Sequence, residues 1–99
     1  NNTKDILNTS VAEFMNHLEK QFENWMSWDN YGLYNGEINY GWDLDHIIPI
    51  TCLKQEDLHL LNHWSNFQPL CSKINRDVKV NTLYPVTNLE LNLTIFNCV

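Results

Sequence analysis

Basic residues are scarce in this chain. Lysine and arginine together number 6 against 12 aspartates and glutamates, a net charge of −6, and such a balance normally counts against a nucleic-acid partner. Cysteine is sparse as well. Cys52, Cys71 and Cys98 make an odd count of 3 with no Cys-x-x-Cys pair, which argues against a disulfide framework or a zinc ribbon and for reduced thiols inside a cytosolic or nuclear-type compartment. No apolar run approaches the length of a membrane span, and the polar start from Asn1 to Asp5 is unlike a signal peptide. The expected setting is therefore intracellular, with no membrane partner. The absence of an initiator Met suits a piece of a longer protein.

What remains is one small aromatic domain. The 99 residues suffice for a single modest core, and four Trp, four Tyr and four Phe give that core large side chains to bury. Ser10-Val11-Ala12-Glu13 has the form of a capping box. Val11, Phe14, Leu18, Phe22 and Trp25 then recur at helical spacing, so a scaffold helix is expected over 11–25. Met26 to Gly32 reads as an aromatic turn, and Asn35-Gly36 between short β-prone runs signals a hairpin or a turn-rich excursion. At the far end Leu89, Leu91, Leu93 and Ile95 alternate with polar residues, the pattern of one half-buried strand over about 88–96.

The chemistry is concentrated between Gly41 and Lys79. Trp42 to Ile48 reads as a strand stopped by Pro49, carrying Asp45 and His46 side by side. Residues 50–65 form a connector with a short helix near Lys54–Leu61. Asn66-Phe67-Gln68 reads as the returning strand, with Pro69 its stop and Ser72 the cap of a helix reaching about Lys79. His59 and His63, four apart, lack the glutamate of the zinc-protease pattern and an evident third ligand, so surface histidines are expected there; a structural zinc site with a cysteine is the weaker reading. The basic residues are unevenly spread: Lys73, Arg76 and Lys79 against Asp77 give residues 71–79 a balance of +2, leaving −8 for the rest.

Phosphodiester hydrolysis needs an activated water, a counter-charge at phosphorus and help for the departing oxygen. One hard divalent cation supplies the last two. Magnesium takes oxygen ligands and keeps several waters, so the Asp45 carboxylate and the Asn75 amide oxygen are candidate ligands, and the imidazole of His46 is suited to take the proton. Neighbours on a strand face opposite ways, so Asp45 and His46 can share a site only where the strand ends or bends. Asn66, in the returning strand or the turn before it, is placed to fix the loop or the histidine. Asp43, two residues before Asp45, shares its face and is a supporting candidate.

Asp45-His46-Ile47-Ile48-Pro49, Asn66-Phe67-Gln68-Pro69-Leu70 and Asn75-Arg76-Asp77-Val78-Lys79 together resemble the three blocks of an HNH endonuclease, the ββα-metal fold, in the variant whose last ligand is asparagine. The helix through Phe22 and the Met26–Gly32 turn resemble the segment preceding these blocks in HNH proteins of phages and large DNA viruses. The resemblance implies an α+β domain over 1–99, with a ββα core over about 41–79, acting on DNA. It implies Mg2+, replaceable by Mn2+, on Asp45 and Asn75, with His46 as general base, Asn66 bracing hairpin and base, and Lys73, Arg76 and Lys79 on DNA. A viral member would work in the cytoplasm or nucleus of its host. Two features depart from the pattern: the 33–41 link is long, and Val80-Asn81-Thr82-Leu83 is neutral where relatives carry lysines. The contrasting expectation is a non-catalytic module of a larger protein, with an additional DNA-binding domain or a protein partner.

Overall fold

The computed structural model describes residues 8–78 and 86–95; Lys79 and Cys98 lie outside them. The fold is α+β. Helix α1 (Val11–Glu19) is followed by strands β1 (Trp42–His46) and β2 (Phe67–Cys71), a π-helix (Ile74–Val78), and strands β3 (Val86–Asn88) and β4 (Leu93–Ile95). β1 pairs antiparallel with β2, and β3 with β4, as two separate two-stranded sheets. No helix among the described residues is long and apolar enough to cross a membrane.

The expected capping box is in place. Ser10 Oγ accepts from the Glu13 amide and the Glu13 carboxylate accepts from the Ser10 amide, both at 3.1 Å. Helix α1 ends at Glu19, earlier than the expected Trp25. The amides of Gln21 and Phe22 turn back to the carbonyls of Leu18 and Glu19, tightening the chain to three-residue turns. This frees Phe22 to meet Trp28 at 5.4 Å and Trp42 at 5.1 Å between ring centroids. Phe14, Leu18, Met26, Trp42 and Phe67 form the buried core, with Phe22, Trp25, Trp28, Leu44 and Trp64 against it.

The β1–β2 register explains a strand boundary that the sequence suggested wrongly. Trp42 pairs with Cys71, Leu44 with Pro69 and His46 with Phe67. The Ile47 amide donates to the Asn66 carbonyl and the Ser72 amide to the Gly41 carbonyl, which makes these three pairs the non-hydrogen-bonded kind. The missing N–H of Pro69 therefore costs the ladder nothing, and β2 runs through it. The same alternation sends Trp42, Leu44 and Phe67 to the aromatic core and Asp43 and Asp45 to the opposite face, where the last helix lies.

Other local expectations are refined or corrected. The 33–40 segment takes the second of its two expected forms, a turn-rich excursion with no strands around Asn35-Gly36; it is rooted at Gly41, where a Cβ would stand 2.1 Å from the Leu33 carbonyl oxygen. Ser72 does not cap: its hydroxyl donates to Asp43 Oδ1 at 2.9 Å. The single strand over 88–96 is instead a hairpin, because Asn88 Oδ1 accepts from the Leu91 amide and Asn92 adopts a left-handed φ of 54°, so Leu89 is spent in the turn. Cys71 is a buried free thiol as expected, but Cys52 is disulfide-bonded, against the expectation of reduced thiols throughout. His63 is buried rather than on the surface.

Candidate active site

The two faces of β1 distribute the predicted residues. Asp45 is 8% exposed and stands opposite Gln68, whose Nε2 donates to its Oδ2 at 2.9 Å. His46, the last residue of β1, faces the other way. Its ring lies 4.8 Å from that of Phe67, and its Nε2 is 2.9 Å from Asn62 Oδ1. An amide oxygen only accepts, so Nε2 is the donor in this bond.

Asn66 is 1% exposed and builds the loop between the strands. Its Oδ1 accepts from the Ile48 amide at 2.9 Å, while Nδ2 donates to the carbonyls of Ile48 and Leu61 at 3.0 Å. It thus ties the exit of β1 to the entry of β2, and its contact with the histidine runs through the backbone between them. The His46 ring hydrogen-bonds the side chain of Asn62. Sequence reasoning missed Asn62 and Gln68. Gln68 had a signal in its cross-strand position, whereas Asn62 is brought in only by the fold of the connector.

Asp43 is the hub of the helix face. Its Oδ1 accepts from Ser72 Oγ and Arg76 Nη2, each at 2.9 Å, and its Oδ2 from Arg76 Nε at 2.9 Å and Asn75 Nδ2 at 3.0 Å. Burial pushes the Asp43 pKa up, but the bonds from Arg76, Asn75 and Ser72 outweigh it and hold the carboxyl below its ordinary range. Four donors use the capacity of one carboxylate, so Asp43 is a holder rather than a second cation ligand.

The predicted DNA-contacting cations are engaged within the protein. Arg76 forks onto Asp43 and sits 4.9 Å from the Tyr34 ring centroid. Lys73 pairs with Asp77 at 2.9 Å, and Tyr34 donates its hydroxyl to the same carboxylate. These bonds raise the pKa of Lys73 and lower that of Asp77, the latter first through Tyr34 and then Lys73. Lys79 lies outside the described residues.

Two predicted ligands suit a hard cation. Asn75 gives its Nδ2 to Asp43, so its Oδ1 is the atom turned elsewhere; that oxygen and the Asp45 carboxylate are of the kind a hard cation takes. Asp43 and Asp45 project to one face of β1, which brings Asn75 to the side of the sheet where Asp45 lies. No group of three or more His, Cys, Asp and Glu side chains arranged around a metal occurs among the described residues; His63 is bound to Ser65 instead, Nδ1 to Oγ at 2.8 Å. A cavity of about 350 Å³ lies elsewhere, between the start of α1 and Trp64, and contains none of these residues.

No protein-family model matches the chain, and no solved structure matches it. It is similar to two uncharacterized proteins of Acanthamoeba polyphaga mimivirus. One is 30% identical over 84 residues, 82% of this chain and 34% of the relative; the other is 36% identical over 76 residues, 74% of this chain and 30% of the relative. The chain therefore spans about a third of the length of the curated relatives it matches.

Proposed function

We propose that this chain is an HNH-type, metal-dependent DNA endonuclease domain of viral origin. The observation that supports the reading is that the three sequence blocks are neighbours in the fold, the first two through the β1–β2 pairing and the third through Asp43. The Asp45-His46 end of β1 is closed by Asn66, and Asn75 is drawn onto the acidic face of β1 by Asp43. The similarity to mimivirus proteins supports the viral assignment alone. A DNA substrate places the activity inside the host cell, in cytoplasm or nucleus.

Asp45 and Asn75 would hold one Mg2+ or Mn2+ by oxygen, and that cation would supply counter-charge to the phosphate and the departing oxygen. The chain's own work is proton transfer and positioning. Because Asp45 and His46 leave β1 on opposite faces, the scissile phosphate would sit beyond His46, past the end of the strand, to meet both. There Nδ1 of His46 takes the proton of the attacking water. Asn62 fixes the tautomer through Nε2, and Asn66 holds the loop that sets the ring's position.

The runner-up reading is a non-catalytic module that serves a larger protein, favoured by the net charge of −6 and by the pairing of both Lys73 and Arg76 with carboxylates. Plasmid nicking at low salt with Mg2+ or Mn2+ decides between them. The nuclease reading expects nicking that is lost in His46→Ala and with a chelator. Well-folded wild-type protein that nicks nothing under any of these conditions supports the module, or a nuclease domain that depends on a separate DNA-binding segment.

A further inference from the structure

We propose that Asp43 is the positioning residue for the cation site, selecting which atom of the Asn75 amide faces the metal. The inference rests on the nuclease reading above and goes beyond it by giving a role to a residue outside the three motif blocks. An asparagine amide has two ends of similar shape and opposite chemistry: the oxygen binds a cation and the NH2 repels one. Nothing in Asn75 itself chooses between them. Asp43 does, because a carboxylate only accepts, so the end 3.0 Å from its Oδ2 must be Nδ2. Oδ1 is thereby turned away from Asp43.

Asp43 is itself held against rotation. Arg76 grips both of its oxygens and Ser72 takes Oδ1, so the carboxylate presents Oδ2 to Asn75 in one orientation. Ser72, Asn75 and Arg76 lie three and four residues apart, the spacing of one helix face. The chain winds as a π-helix from Ile74, a widening that is frequent at functional positions. The charge of Asp43 is balanced by Arg76.

The test is Mn2+ binding followed by electron paramagnetic resonance, with thermal melting in parallel, on wild type, Asp45→Ala, Asp43→Asn, Arg76→Gln and the exchange Asp43→Asn/Asn75→Asp. Asp43→Asn is expected to weaken Mn2+ binding about tenfold to a hundredfold, the usual effect of losing a partner that orients a ligand. The exchange reverses the polarity of the same bond and leaves an oxygen for the metal, so affinity should return to within about threefold of wild type. Arg76→Gln should lower the melting temperature while moving affinity far less than Asp43→Asn does. Wild-type affinity in Asp43→Asn, or equal losses in Asp43→Asn and Arg76→Gln, would show Asp43 to be only a helix anchor and overturn the proposal. If Asp43→Asn does not fold, the wild-type Asn75 side-chain amide decides by NMR: Mg2+ should shift its carbonyl carbon while its NH2 protons stay protected, and freely exchanging NH2 protons sink the idea. Wild type that binds no Mn2+ in an Asp45-dependent way removes the nuclease reading itself, a failure distinct from that of Asp43.

Discussion

Asn66 is the residue whose loss leaves most undone. Its amide satisfies the Ile48 amide and two loop carbonyls while 1% exposed. Asn66→Ala strands the Ile48 N–H and opens space beneath the loop, so about 3 kcal/mol of stability should be lost in urea unfolding. Asn66→Asp should be worse, because it sets a carboxylate against the Ile48 and Leu61 carbonyls. His46→Ala gives up a ring contact with Phe67 and one hydrogen bond at a half-buried position, and should cost about 1 kcal/mol. Unfolding of both variants thus separates the architectural weight of Asn66 from that of His46, even though the motif places them in the same set.

At the scale of elements, the β3–β4 hairpin depends on one titratable group. Asn88 Nδ2 donates to the Ser65 carbonyl and hydroxyl, each at 3.3 Å. Ser65 is fixed by its amide donating to His63 Nδ1 at 3.2 Å, with its hydroxyl on the same nitrogen. Burial pushes the His63 pKa below its ordinary 6.5, and Glu90 opposes this weakly. Unfolded protein therefore binds the proton first, so His63 contributes stability above pH ~6.5 that is lost as pH falls through its folded value. Protonated Nδ1 can no longer accept from Ser65. Amide protection factors, which correct for the intrinsic pH dependence of exchange, should fall from pH 7 to 5 more in β3–β4 than in β1–β2, and the difference should disappear in His63→Asn.

For the whole molecule, charge is the deciding quantity. Net −6 on 99 residues, with Lys73 and Arg76 already paired, leaves few cations to displace counterions from DNA. The logarithm of DNA affinity should fall with the logarithm of salt with a slope shallower than about −3, corresponding to roughly three phosphate contacts or fewer. A steep slope measured by fluorescence anisotropy would mean that the Asp43–Arg76 and Lys73–Asp77 pairs open on DNA. The curated relatives are about three times as long as their matched part.

Sequence alone determined the capped amphipathic start of α1 and the strand–loop–strand–helix order over 42–78, because capping and periodicity are local properties. The ends of elements were decided elsewhere. Helix α1 stops at Glu19 because Phe22 is drawn to Trp28 and Trp42, and β2 passes through Pro69 because register puts the proline where no N–H is needed. The roles of Asn62 and Gln68, the burial of His63 and the engagement of Arg76 by Asp43 belong to tertiary structure. Each depends on which residue distant in sequence becomes a neighbour in space, and no local pattern carries that information.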